Sequence, residues 1–218
     1  MGWDAVVWGK WYQALVTDKR STYHHGSLPD VLVATALELL DEGGMAGVSV
    51  RETARRAGVS PGAPFRHFAD REALLNAVAG RVLDGFVAWQ RAALADARPD
   101  RTAMWTFGRA FVMYAASHTH RFELLRKTVY GGQPAPELRE GLEEIDRLVT
   151  GVVTSGQRAG ELRSGDPALV TLTSHALVYG LSQMIVDGFL PAEHADRLVD
   201  QVLDTFGAGI VLSPEEKR

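Results

Sequence analysis

The sequence predicts an all-α protein of about nine helices, a small three-helix domain ahead of a larger helical one. Two observations carry this. Apolar residues recur at spacings of three and four along almost the whole chain, and no run of four or more residues alternates as a half-buried strand does. The chain has 218 residues, long enough to bury a substantial core without cross-links, and it has no cysteine.

Leu28, Val31, Leu32, Thr35, Ala36, Leu39 and Leu40 mark a first helix that stops at Gly43-Gly44, with Ser27 and Asp30 as its N-terminal capping pair. A second begins at Ser49, with Glu52 as the capping-box partner, and stops at Gly58. Ser60 and Pro61 suit the N-cap and first position of a third, very short helix. Asp70 caps a fourth, whose stripe runs Leu74, Leu75, Val78, Val82, Phe86, Gln90 and Ala93, long enough to leave one domain and enter another. After Pro99, helices are expected over 100–118 and 120–130. The sequence "GGQPAP" (131–136) is a loop. Leu138, Leu142, Ile145, Val149 and Val152 mark the next helix, which ends in "RAGELRSGDP". Asp166-Pro167 opens another, running to about Gly188, and Pro191 opens the last.

The totals exclude several classes. Without cysteine there is no disulfide scaffold, thiolate zinc site or cysteine nucleophile, which fits a reducing cytoplasm. The N-terminus "MGWDAVVWGKWYQALV" is no signal peptide: Asp4 stands where positive charge is needed, and Lys10 interrupts the apolar stretch. Leu169 to Val186 is free of acid and base, but Thr171, Thr173, Ser174, His175, Ser182 and Gln183 make it a buried interface helix, not a membrane span. The net charge of −4 does not suggest a nucleic-acid binder, although a total can hide a local basic face.

"GVSPG" (58–62) fits the G-x-S-x-G pattern of a hydrolase nucleophile elbow. That elbow needs the backbone N–H of the residue after the serine, and here that residue is Pro61, which has none. The preceding "RETARRA" is helical, and nothing downstream forms a parallel sheet. A turn between helices accounts for each residue instead. Gly58 can take the left-handed conformation that ends a helix, Val59 plugs the turn, Ser60 caps the next short helix, and Ala54 and Ala57 are small where helices cross. This is a helix-turn-helix, or otherwise a plain helical hairpin. Charge separates the two. Residues 45–71 hold Arg51, Arg55, Arg56, Arg66 and Arg71 against Glu52 and Asp70, an excess of +3 inside a chain of −4.

"VSVRETARRAGVSPGAPFRHFADREALLNAVAG" (48–80) strongly resembles the DNA-binding domain of TetR-family (TetR/AcrR-like) transcriptional regulators, and "YHHGSL" (23–28) resembles the lead-in to its first helix. The resemblance divides the chain into a helix-turn-helix DNA-binding domain (23–70) and a ligand-binding and dimerisation domain (71–218), with 71–95 as connecting helix. Residues 1–22 match nothing in the family, and are either an extra arm or the product of a misplaced start codon. Within them Lys19 and Arg20 could reach a minor groove or simply be solvated. The resemblance implies that Ser49 and Arg51 touch phosphate. It implies that Ser60, Pro61, Gly62, Ala63 and Arg66 face the major groove, and that His67 and Arg71 clamp the backbone again. Two positions depart from the family. Phe65, itself expected at the DNA, stands where members usually carry Tyr, so a phosphate hydrogen bond is lost, and Pro64 stands where they carry Leu or Ile, which stiffens the recognition helix. Ala63 and the proline rings then suit thymine methyls, with Arg66 the one long donor for a guanine.

Farther on, Phe107, Phe111, Tyr114 and His118 share one helix face, and His175 and Tyr179 form a second pair. They line either an apolar ligand pocket or ordinary core. The motif His118-Thr119-His120 is no metal site, because residues two apart on a helix do not face each other. No cofactor is implied. The helix from Leu169 to Ile185 is apolar on more than one side, with Gly180 open to a close approach. By resemblance, Leu177, Gly180, Leu181, Met184, Val202 and Phe206 meet a second subunit, which would set two recognition helices about 34 Å apart on a palindromic operator. The expected protein is thus no enzyme but a cytoplasmic, homodimeric repressor. It binds a double-stranded DNA operator and answers to an unknown apolar or aromatic effector. The alternatives are a same-fold protein without an effector, an activator, or an all-α small-molecule binder or enzyme.

Overall fold

The structure, a computed structural model, describes residues 27–130, 134–191 and 194–210. Among them are eight α-helices, two 3₁₀ turns and no strand. The expected extension (1–22), the residues Tyr23 to Gly26 of the lead-in, and residues 131–133 of the "GGQPAP" loop lie outside the described residues.

Helix α1 (Leu28–Gly47) starts on the expected capping box: the Ser27 hydroxyl and N–H both donate to Asp30 Oδ2, at 2.8 and 3.2 Å. Its apolar stripe is buried at Leu32, Val33, Ala36, Leu39 and Leu40. The helix does not end at Gly43-Gly44 as expected. It breaks there, with Gly44 at φ +61°, and one more turn follows to Gly47. A Cβ at Gly44 would stand 3.3 Å from the His120 ring, so the break is also a docking point that a larger residue would fill.

Helix α2 (Val50–Arg56) has Ser49 as N-cap, its Oγ accepting from the Glu52 N–H at 3.1 Å. The second half of the expected capping box is not made. The Glu52 carboxylate turns to Arg55 instead, accepting from Nε at 2.8 Å and Nη2 at 2.7 Å. Gly58 closes the helix at φ +69°, where the Val59 N–H donates back to the Ala54 carbonyl at 3.0 Å. The third element is a 3₁₀ turn, Pro64–Arg66, and not an α-helix. Pro64 has no N–H to give the Ser60 carbonyl, which accepts from Ala63 at 3.0 Å. The next bond, Arg66 N–H to the Ala63 carbonyl at 3.3 Å, keeps the same three-residue period.

Helix α3 (Arg71–Ala95) is capped by Asp70 Oδ1, which accepts from the Ala73 N–H at 2.8 Å, and it buries Leu74, Leu75, Val78, Val82, Phe86 and Gln90. Then come α4 (Ala103–Ser117), α5 (Thr119–Tyr130), a 3₁₀ turn (Pro136–Leu138), α6 (Arg139–Arg158), α7 (Pro167–Val186) and α8 (Ala195–Ile210). Thr102 caps α4, and Asp166 with Pro167 opens α7 as expected. The last helix begins at Ala195, not at Pro191.

The described residues fall into two compact units, those up to Gly85 with those of 120–142, and those of 86–119 with those from 143 on. In the first, α5 is tied to α1. Arg121 donates to both Asp41 carboxylate oxygens, at 2.7 and 2.6 Å, and His120 Nδ1 lies 3.1 Å from the Asp41 carbonyl. In the second, α4 packs against α7 and α8 so closely that a Cβ on Gly108 would meet Leu203 at 3.3 Å and Val178 at 3.4 Å. A charge ladder fastens α4 to α8. Arg109 donates to Asp200 at 2.8 Å and Asp196 at 2.6 Å, and Trp105 Nε1 donates to Asp204 at 2.9 Å.

Candidate nucleic-acid interface and aromatic cluster

The helix-turn-helix segment leaves most of its expected contact residues exposed. Arg51, Arg55, Arg56, Ser60, Pro61, Gly62, Phe65, Arg66 and His67 are all exposed, while Ser49 and Ala63 are half-buried. Pro64 and Phe68 are buried and pin the turn from beneath.

The five arginines are not equivalent. Arg55 is held by Glu52, and Arg56 by Glu42 at 2.5 Å. The hydrogen bond from Arg55 holds the Glu52 carboxyl below its ordinary range, so this acid stays charged and keeps part of the local positive field neutralised. Arg71 reaches back to the joint between α1 and α2. Its Nε donates to the Val48 carbonyl at 2.7 Å, and Nη2 donates to the Met45 carbonyl. This exposed side chain, expected as a clamp on the DNA backbone, thus also holds the turn that leads into Ser49. Arg51 and Arg66 make no ion pair or hydrogen bond through their guanidinium groups among the described residues. They are the two cations this face leaves open.

The rings of the second unit form a connected cluster. Phe86 lies edge-on to Phe111 (5.4 Å between centroids) and to Tyr114 (5.0 Å). Trp89 lies edge-on to Tyr114 and His118, His118 stacks on Tyr114 at 4.6 Å, and Phe111 meets His175, which stacks on Tyr179. Phe107 is buried on the same helix. Of the six side chains named from the sequence, Phe111, Tyr114, His118, His175 and Tyr179 join this cluster, with His118 as the C-cap of α4, and Trp89 is a member that the sequence reading missed. Trp89 follows Phe86 by one helical turn and also donates Nε1–H to the Ala110 carbonyl at 2.9 Å. Gln90, fully buried, sits where its amide, correctly oriented, bonds the Phe107 carbonyl and the Phe111 N–H at 3.3 Å each. Burial pushes His175 below the ordinary histidine range, so at neutral pH it is an uncharged ring. The buried polar residues of this unit, Gln90, Thr171, Ser174 and Ser182, are all uncharged. Among the described residues, no group of three or more histidines, aspartates or glutamates is placed to hold a metal ion.

On α7 one expectation is corrected. Leu181 is 6% exposed and belongs to the core, so it is not free for a second subunit. Gly180, where a Cβ would meet nothing within 4 Å, and Met184, 39% exposed, do lie outward, with Leu177, Val202 and Phe206 half-buried. By length and composition α7 could cross a membrane, yet a third of its most apolar window is buried inside the fold.

Residues 32–78 match the family described as bacterial regulatory proteins, tetR family, and residues 104–206 match the tetracyclin repressor-like C-terminal domain. The chain belongs to the TetR family. Solved structures agree. A protein of unknown function from Rhodococcus sp. RHA1 is 32% identical with a TM-score of 0.76, covering 88% of this chain and 100% of that one. A TetR-family transcriptional regulator from Pectobacterium atrosepticum shares the fold at 20% identity, with a TM-score of 0.69 over 85% of this chain and 95% of that one. The class C tetracycline repressor protein of Escherichia coli is 43% identical over 54 residues, a stretch that spans only 25% of either chain. The family is one of DNA-binding transcriptional regulators and not of enzymes, and this TetR-family chain carries both of its domains.

Proposed function

We propose that this TetR-family protein is a homodimeric, ligand-responsive repressor that acts in the cytoplasm on a palindromic operator. The observation that carries the DNA part is the exposed face of the helix-turn-helix with Arg51 and Arg66 unpaired upon it. Arg51 and the Ser49 cap contact phosphate, Arg66 reaches a base edge with Ser60, Pro61 and Gly62 beside it, and His67 returns to the backbone. Arg71 acts at one remove, by holding the joint that presents Ser49 and Arg51.

The outward apolar side of α7 supports the homodimer. Leu169 is 60% exposed in the isolated chain, and Gly180 leaves room for another helix. Sedimentation at micromolar concentration tests it. The wild type is expected as a dimer and Gly180→Arg as a folded monomer that no longer binds a full palindrome. A monomeric wild type would refute this part.

For the effector, the ring cluster supplies apolar surface with the uncharged His175 and Gln90 as orienting groups. Helix α3 gives it leverage, because one helix carries Arg71 at its start and Phe86 and Trp89 in its second half. A ligand that favours one arrangement of that helix must bind free protein and operator complex with different affinities, and the coupling is reciprocal. The rings also fill space against one another, and that observation favours a second reading, a DNA-binding protein with no effector. A panel of uncharged aromatic compounds separates the two. Under the first reading, at least one raises the melting temperature of the wild type, does so less for Tyr114→Ala, and weakens duplex binding. No such compound is expected under the second.

A further inference from the structure

We propose that Phe65 reads a thymine, its ring packing against the C5-methyl group in the major groove. This assignment rests on the reading that the helix-turn-helix face binds duplex DNA, and it names what that face selects.

Phe65 is 52% exposed, more than any other large apolar side chain among the described residues of the first unit. It is not exposed on a loose loop. Buried Pro64 precedes it, buried Phe68 follows it, and the N–H groups of His67 and Phe68 both donate to the Pro64 carbonyl at 2.9 Å. The ring is therefore held in water by a stiff, anchored turn, and nothing among the described residues accounts for it. Exposed Arg66 and His67 follow it directly, and Arg51 stands exposed and unpaired on the same helix-turn-helix. Whatever covers the ring must bring an apolar spot framed by negative charge. The thymine methyl between phosphates is such a spot, and it is the apolar group that base edges offer in the major groove. A phenyl ring has no hydroxyl and cannot donate to phosphate, so packing on the methyl is what remains to it. Of the side chains expected to meet thymine methyls, Ala63 is half-buried and Pro64 is buried, which leaves the exposed Pro61 ring beside Phe65.

The test begins by selecting duplexes from a random pool with the full-length protein. Each thymine of the selected half-site is then replaced by uracil, which removes only the methyl group. Affinities are measured by fluorescence anisotropy at one salt concentration for wild type, Phe65→Ala and Phe65→Leu, with melting curves to confirm folding. In the wild type, uracil at one thymine per half-site is expected to weaken binding about fourfold, the loss of one buried methyl group at ~0.8 kcal/mol. In Phe65→Ala that penalty vanishes, although overall binding is weaker. In Phe65→Leu, which retains an apolar side chain, part of it survives. Uracil penalties equal in wild type and Phe65→Ala, or a half-site at which no thymine is sensitive, would overturn the assignment and leave the DNA reading standing. A pool from which no duplex is enriched would overturn both.

Discussion

In the first unit the side chains assigned to function lie on the surface, and what distinguishes them is what else they already hold. Arg55, Arg56 and Arg71 have partners within the fold, whereas Arg51 and Arg66 do not. In the second unit the corresponding side chains lie inside and touch one another, so each ring both supports the core and lines any site there. The same residue type illustrates both cases: Phe65 is 52% exposed and Phe111 is 8% exposed. An exposed group without a partner in the fold can be removed with consequences for binding alone. A buried one cannot be removed without a cost to stability.

The largest expected effect concerns that pair of phenylalanines. Phe111→Ala removes a buried ring with two ring neighbours and is expected to cost about 3–5 kcal/mol in urea unfolding. Phe65→Ala should stay within about 0.5 kcal/mol of wild type. Equal losses at the two sites would erase the distinction between the units.

Arg71→Ala comes next. It leaves the Val48 and Met45 carbonyls without their donor, and a loss of about 1–2 kcal/mol is expected from hydrogen bonds to a charged group. Operator binding should weaken as well, because the joint before Ser49 loosens, but the salt dependence should not change. A flatter salt dependence with unchanged stability would restore Arg71 to direct phosphate binding.

A smaller effect concerns pH. Burial lowers the pKa of His175, so in acid the unfolded chain takes up a proton that the folded chain resists. Its contribution is fully present above about pH 6.5, the ordinary histidine value, and is lost as pH falls toward the lowered folded value. Wild-type stability should fall by at most ~1.4 kcal/mol per pH unit from this group, and His175→Gln should remove that component. Parallel pH profiles of the two proteins would show that His175 is not the group responsible.

Much of the head was legible because its signals are local. Ser27 with Asp30, Ser49, Gly58 and Asp70 each act on backbone within four residues, so sequence order alone places them. The turn at 58–62 could be separated from a hydrolase elbow because Pro61 lacks an N–H, a covalent fact. What was not legible involved competition or distance. Glu52 had two possible partners in reach, the N–H at the cap and the Arg55 guanidinium one turn on, and it took the second. The partners of Arg71 are backbone carbonyls 23 and 26 residues away, and a carbonyl carries no signature in sequence. Pro64 was read as stiffening a very short recognition helix, and the pattern did not show that its missing N–H leaves that helix a 3₁₀ turn. On α7 the pattern is apolar on several sides, so periodicity could not tell that Leu181 faces inward and Met184 outward.

The most direct test compares Arg51 with Arg55 on a selected duplex, across a series of salt concentrations. Both are exposed arginines of α2 four residues apart, but only Arg55 is held by a carboxylate. If Arg51 neutralises phosphate, Arg51→Ala should flatten the plot of log Kd against log salt by about 0.9 for each phosphate it had neutralised, while Arg55→Ala changes it little. Unchanged slope in Arg51→Ala, with the protein folded and dimeric, would contradict the assignment of this face to DNA.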